Sequence, residues 1–380
     1  MTTLNAITSP APALVTTVDS TGNLAIQTAG TNAVTYDANQ NATHTGSISS
    51  VNTFGYKNRI INGHMMIDQR NAGANTTPGQ NAYTVDRWRY PASQSSKFTA
   101  QQMNSANTSA ANYESNSTPA GYINSLKLTS SSAYSLGSSD YFGVNQFIEG
   151  YNIADLNWGT SSAKTVTLSF WVKSSLTGTF GGGIRTGDSS NYSYPFTYAI
   201  SSTNTWTYCT VVIPGPTAGT WNTSNGQGLD VWFSLGTGST FTGTANTWAA
   251  SNYVNATGSV NVSGTAGATW YITGVQLEVG SKATPFDFRD YNREFYMCQR
   301  YYETGGGTGY AYSFNIGSVY RWQQRFQVPK RATPSVTVVT PNAGSNFTTL
   351  STVFSPNTDA FDSGANGPAS FNSFTASAEL

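Results

Sequence analysis

TVTLSFWVKS, residues 165–174, alternates without a slip: Val166, Leu168, Phe170 and Val172 fall on one face, Thr167, Ser169, Trp171 and Lys173 on the other. A period of two is the mark of a strand with one face turned to a core. The same pattern recurs at short spacing on either side, in KNRIINGHMMIDQR (57–70), YTVDRWRY (83–90), SLKLTSS (125–131), YFGVNQFIEG (141–150), GTFGGGIRTG (178–187), SYPFTYAIS (193–201), WTYCTVVIPG (206–215) and GLDVWFSLG (228–236). Turns rich in Gly, Ser, Asn and Thr separate these runs. Many short alternating strands with almost no helical period predict an all-β chain, with a jelly-roll β-sandwich over residues 55–280.

The last strand of that run leads into the one helical pattern. In WYITGVQLEV (270–279), Trp270, Ile272, Val275, Leu277 and Val279 face one way once a bulge at Gly274 is allowed for. Gly280 ends the strand. Thr284, Pro285 and Asp287 then read as an N-cap, a first-turn proline and a carboxylate three residues after the cap. Phe288, Tyr291, Phe295, Cys298 and Tyr302 follow at three- and four-residue steps, and the glycines at 305–307 stop the helix. Residues 281–304 are therefore expected to be a linker helix acting as a hinge, its aromatic face packed on the C-terminal region or at the centre of an oligomer.

The flanks are thinner. Residues 1–54 hold an extended SPAPA segment and short runs that alternate Leu24 with Ile26 and Val34 with Tyr36. Such hairpins cannot bury a face alone, so they are expected either to associate with copies or a larger assembly or to form a disordered leader. Residues 305–380 read as a small C-terminal β domain, with strands in YAYSFNI (310–316), YRWQQRFQVPKRATPSVTVV (320–339) and NFTTLSTVFS (346–355) and with Pro329 and Pro334 at strand ends.

Composition excludes several functions. Only 9% of the 380 residues are charged, and 18 Lys and Arg balance 18 Asp and Glu, which argues against nucleic acid as a partner. The opening MTTLNAITSPAPAL has no basic segment followed by an apolar core, and no apolar run approaches a membrane span. The expectation is a soluble protein made in a cytoplasm, without membrane insertion. Cys209 and Cys298 sit in unrelated segments and read as buried free thiols.

No catalytic constellation stands out. His44 and His64 are the only histidines, too few for a histidine metal site, and neither is set in a recognisable triad. Asp140, Glu149, Asp155, Asp188 and Asp230 could supply the carboxylate pair of a glycosidase, but spacing alone pairs none of them. A jelly roll can clamp a structural Ca²⁺ with loop oxygens, though no D-x-D-x-D loop occurs. Asp86, Arg87 and Trp88 read as a buried ring beside an intramolecular charge pair. Sugar binding has better material, because pyranose faces stack on aromatics while their hydroxyls pair with Asn, Gln, Asp and Ser. Tyr192, Tyr194, Trp221, Trp248 and Tyr253 lie in polar loops and form the candidate carbohydrate rim; their alternative role is to close the ends of the sandwich as minor core.

The order of NRIINGHMMIDQR, YTVDRWRY, SFWVKSS, SYPFTYAIS, WYITGVQLEVGSKATPF and CQRYY over about residues 55–303 resembles a group of bacteriophage tail-fibre or minor structural proteins whose common segment is similar to carbohydrate-binding jelly-roll modules. GNLAIQTAGTNAVTYDANQNATHTGSI is similar to N-terminal hairpin repeats of phage fibres, and FQVPKRATPSVTV to the strand after the helix in such proteins. The resemblance implies a homotrimeric virion appendage, attached through its N-terminal leader to other tail proteins and meeting host surface polysaccharide or lipopolysaccharide. It carries over no catalytic residue or cofactor. The expected function is a non-enzymatic receptor-binding fibre; the alternatives are a structural head fibre or tail adaptor, and a glycan depolymerase spike.

Overall fold

The computed structural model describes residues 57–187, 191–305, 319–339 and 373–380, together with the strands Thr16–Val18, Leu24–Thr28, Thr31–Tyr36, Ala42–His44, Phe314–Ile316 and Ala360–Ala365. The chain divides into two compact units, Met1–Gly55 and Tyr56–Leu380.

The sandwich of the second unit is built on eleven strands: β1 (Ala82–Tyr83), β2 (Arg89–Tyr90), β3 (Phe98–Asn104), β4 (Asn124–Ser130), β5 (Tyr141–Glu149), β6 (Val166–Ser174), β7 (Gly178–Thr186), β8 (Ser193–Ile200), β9 (Thr207–Ile213), β10 (Gln227–Thr237) and β11 (Thr269–Val279). They form a five-stranded sheet, β9-β6-β11-β4-β3, and a six-stranded sheet, β8-β7-β10-β5-β2-β1, with every neighbour antiparallel. From β4 onward the chain alternates between sheets except at the β7–β8 hairpin, placing β5 beside β10 in one and β6 beside β11 in the other. That is the winding of a jelly roll. Val166, Leu168, Phe170 and Val172 are fully buried between the sheets, opposite Leu229, Val231, Phe233 and Leu235 of β10. Phe170 meets Phe233 edge to face at 4.9 Å. The bulge at Gly274 is present: its φ is +63°, and the register slips between Ser169 and Trp171 of the partner strand.

The second face of β6 is covered too. Thr167, Ser169 and Lys173 are buried, and the Lys173 ammonium lies 4.1 Å over the Tyr271 ring and donates to the Asn116 carbonyl at 2.6 Å. Residues 57–70, expected as a strand, are irregular. Asn58 takes the place of a ladder partner there: its side chain donates to Val275 O at 3.0 Å and accepts from Leu277 N at 3.0 Å. Asn62 and Met65 adopt positive φ, which turns the chain away from a continuous pairing.

The helix, α1, spans Tyr291–Gln299 and not 281–304, and its N-cap is Asp290, which accepts from Arg293 N at 3.0 Å. Thr284 is held elsewhere: its N–H and hydroxyl donate to Glu278 at 2.8 and 2.6 Å, while Asp287 N donates to Gln276 at 2.8 Å. Residues 284–287 are thus laced to β11 and cannot begin the helix. Of the expected face, Cys298 is buried with Ile61, Ile67 and Tyr301 and Phe295 packs against them, whereas Phe288 and Tyr291 are exposed; the helix also buries Glu294 and Gln299.

Nor is the helix a hinge between separate bodies. Arg300 and the Tyr301 hydroxyl both bind Glu149 of β5, at 2.7 Å in each case. Arg331 N donates to Arg300 O at 3.0 Å and Ala378 N to Tyr301 O at 2.7 Å. A three-stranded sheet of β12 (Tyr302–Gly305), β14 (Ser373–Ser377) and β13 (Ser335–Val339), in that order, follows directly on the helix. Glu379 pairs with both Arg70 and Arg87, and the Arg87 guanidinium sits 3.6 Å over the Tyr301 ring. Asp86, Arg87 and Trp88 are accordingly all buried. NFTTLSTVFS lies outside the described residues.

In the first unit the four strands pair in sequence order, with Leu24 opposite Tyr36 and Ile26 opposite Val34. No side chain described there is buried. Among the described residues no helix is long and apolar enough to cross a membrane.

Candidate functional site

The outer face of the six-stranded sheet carries a hydrogen-bonded polar surface. Alternation in β10 sends Leu229, Val231 and Phe233 inward and therefore Asp230 and Trp232 outward. Register sets their neighbours: Asp230 stands opposite Arg185 of β7, and Trp232 opposite Asn145 of β5, which itself stands opposite Arg89 of β2. A chain of hydrogen bonds runs across the strands. Arg89 Nε donates to Asn145 Oδ1 at 3.3 Å, Asn145 Nδ2 to Asp230 Oδ1 at 2.6 Å, and Arg185 Nε to Asp230 Oδ2 at 2.8 Å. Arg185 also donates to Asn252 Oδ1 and lies 5.3 Å from the Trp232 ring.

Two glycines make the floor. A Cβ at Gly143 would stand 2.3 Å from Trp232 Nε1, so the indole lies across β5 where no side chain intrudes; a Cβ at Gly183 would crowd the backbone of Tyr253 and Val254, which cover β7. The resulting cavity, about 180 Å³, is lined by Asn81, Arg89, Pro91, Tyr141, Arg185, Trp232, Phe241, Asn252 and Val254. Tyr141 meets Trp232 and Phe241 edge to face at 6.1 and 5.4 Å. The arrangement offers aromatic rings beside fixed planar hydrogen-bonding groups.

Four of the five sequence candidates come together elsewhere. Tyr192 stacks on Trp248 at 5.5 Å and 10°, Tyr194 lies 5.1 Å from Trp248, and Trp221 lies 5.8 Å from it. Trp158, not singled out from the sequence, joins them at 4.8 Å from Trp221. The cluster packs on the sandwich core. Its indole N–H groups point to backbone: Trp158 to Lys164 O, Trp221 to Ala218 O and Trp248 to Pro214 O. Tyr192 and Trp248 keep partial exposure, whereas Tyr194 and Trp221 are buried. Tyr253 is set against Gly243.

The candidate carboxylates are spread out. Asp140 accepts from Ser93, Tyr134 and Gly137 N, which hold it below the usual carboxylate range against the effect of desolvation. Glu149 is engaged by Arg300 and Asp155 by Arg59. Asp188 lies outside the described residues, and Asp230 is a strand residue with both oxygens occupied. His64 is buried edge-on to Phe286 at 5.7 Å, and desolvation lowers its pKa. Both cysteines are free and buried, and desolvation pushes the Cys209 thiol up to about 12. Among the described residues no three His, Cys, Asp or Glu gather as a metal site would require.

The sequence pattern held a usable signal for the groove. Trp232 and Asp230 alternate against the apolar residues of β10, so a ring and a carboxylate on the same outward face were readable. What could not be read was which residues of β2, β5 and β7 stand beside them.

No protein-family model and no curated protein matches the chain. Among solved structures it is similar to a putative sugar binding protein from Bacteroides thetaiotaomicron VPI-5482 (TM-score 0.35, 13% identity, 59% of this chain and 100% of that one). A carbohydrate-binding module described as CBM4 gives TM-score 0.29 at 14% identity over 61% of this chain and 100% of that one. The enzymatically active domain of bacteriophage CBA120 tailspike protein 4 gives 0.30 at 13% identity, over 55% of this chain but 22% of that one. The assignment as a jelly-roll sandwich stands on the strand order above.

Proposed function

We propose that this chain binds a glycan in the groove on the six-stranded sheet, and that it does so as a receptor-binding fibre of a bacteriophage tail. The observation that carries the first part is the row of Trp232, Asn145 and Arg89 beside Arg185 and Asp230: an aromatic floor flanked by planar polar groups already locked in place. Preorganised groups of this kind orient hydroxyls at low entropic cost. The fibre setting is supported by the order of motifs that resembles phage tail-fibre proteins, and by a leader in which no described side chain is buried. Both Asp230 oxygens are taken up by Asn145 and Arg185, so the groove is built to hold a ligand, and we assign it binding without cleavage.

Purified protein applied to an array of bacterial surface polysaccharides tests this. Wild type is expected to retain a subset of glycans and release no reducing ends, while Trp232→Ala loses retention by about tenfold or more, the order of one stacking contact. Retention unchanged in Trp232→Ala but lost in Trp248→Ala would move the site to the Tyr192 cluster. Released sugar would make the protein a depolymerase.

A further inference from the structure

Resting on the glycan reading of this groove, we propose that its ligand is an acidic sugar, whose oxyanion is received by Arg89. The argument is an inventory of donors and acceptors. Asp230 is fully buried and gives one oxygen to Asn145 and the other to Arg185. Asn145 Oδ1 is taken by Arg89 Nε, and Asn252 Oδ1 by Arg185. The carboxylate and both of these side-chain amide oxygens are therefore engaged within the protein, and the other polar side chains of the lining, Asn81 and Tyr141, can donate as well as accept. On the donor side, the terminal nitrogens of Arg89 have no described partner, and the Trp232 indole N–H is buried without an acceptor among the described residues. A ligand that only accepts fits such a surface, and a carboxylate or phosphate only accepts.

Charge points the same way. Arg59, Arg87, Arg289 and Arg300 each meet a carboxylate, and Asp230 neutralises Arg185. Arg89 makes no ion pair with any described residue; its guanidinium lies 4.6 Å over the Phe147 ring, an arrangement that holds it in place without cancelling its charge. Two guanidiniums against one carboxylate leave the groove with one net positive charge, in a chain whose 18 cations and 18 anions balance overall. A half-enclosed guanidinium beside aromatic walls favours a bidentate oxyanion over a hydroxyl.

Isothermal titration with methyl glucuronide, glucose 6-phosphate and methyl glucoside decides the matter, with inorganic phosphate as the anion lacking a sugar. The acidic sugars are expected to bind about tenfold more tightly than methyl glucoside at low salt, with the advantage shrinking as salt rises; whichever is stronger, glucuronide or glucose 6-phosphate, names the oxyanion. Arg89→Gln should bring the ratio of acidic to neutral affinity towards one, and Arg89→Lys, which keeps the charge but not the bidentate fork, should keep only part of it, at unchanged melting temperature. Equal affinity for methyl glucoside and both acidic sugars overturns the inference and leaves the glycan reading standing. So does a preference that survives Arg89→Gln, or phosphate binding as tightly as the phosphosugar. Absence of binding by every sugar at any salt overturns both.

Discussion

A side chain at position 143 would collide with the groove floor, since an alanine Cβ there would stand 2.3 Å from Trp232 Nε1 and 2.7 Å from the Phe233 carbonyl oxygen. Gly143→Ala must either lift the indole or push β5 from β10. Overpacking of this sort costs about 1–3 kcal/mol. We expect a lower thermal midpoint, altered tryptophan fluorescence and glycan affinity reduced by at least tenfold; unchanged affinity would place the ligand away from Trp232. Asp86 makes a second claim at this scale. Buried and accepting from Gln69 N at 3.1 Å, it has its pKa raised to about 7, chiefly by desolvation. A carboxyl with a raised folded pKa holds its proton in the native state where the unfolded chain has lost it. Stability from this group is therefore greatest below the unfolded value near 3.9 and falls as pH rises towards about 7. Denaturant titrations at pH 5 and pH 8 should show Asp86→Asn losing that part of the decline. Residues 84–88 form a turn where a strand over 83–90 was expected, so Val85 and Trp88 are both buried and neither the burial of Asp86 nor Gln69 as its partner was legible in the strand phase.

Helix α1 shows where a sound local pattern yields to tertiary competition. Thr284, Pro285 and Asp287 spell a helix start, yet Glu278 and Gln276 of β11 take the hydrogen-bonding groups that a cap would need. Asp290 does the capping one turn and a half later. Asp290→Ala should therefore cost about 0.5–2 kcal/mol and loosen the helix, whereas Thr284→Ala should leave helical circular dichroism unchanged while speeding amide exchange along residues 281–287. Loss of helical signal in Thr284→Ala would restore the original cap. The strands were more legible than the helix because alternation is enforced by the core itself: Val166 to Val172 have nowhere else to go. Residues 57–70 were read as a strand for the same apolar content, but Asn58 satisfies β11 through its side chain and Asn62 turns the backbone. The groove was half legible, its ring and carboxylate by phase, its two arginines only through register.

At the scale of the whole molecule, the packing of the C-terminal strands on the sandwich and the leader's inability to bury a core lead to opposite expectations. Arg87 and Glu379 have side chains 1% and 7% exposed, so Glu379→Ala strands a buried guanidinium and should cost about 3–5 kcal/mol. One cooperative transition, shifted as a whole, is expected for Tyr56–Leu380; two separate transitions would restore the hinge. The leader is different. Four paired strands of three to six residues, with no described side chain buried, are too little to stand alone in water. Under the fibre reading proposed above, the leader would serve assembly as a homotrimer, in which neighbouring copies would also cover its strand edges. Three linked grooves would raise apparent avidity about 10²-fold or more over one. Removal of residues 1–55 should then convert a trimer to a monomer by light scattering and lower retention on a polysaccharide surface by that factor, while affinity for a soluble monovalent sugar stays constant. A change in the monovalent affinity would mean that the leader shapes the groove; an unchanged oligomeric state would move trimerisation to the exposed Phe288, Tyr291 and Tyr296 face, where Tyr291→Asp would then be the variant that separates the copies.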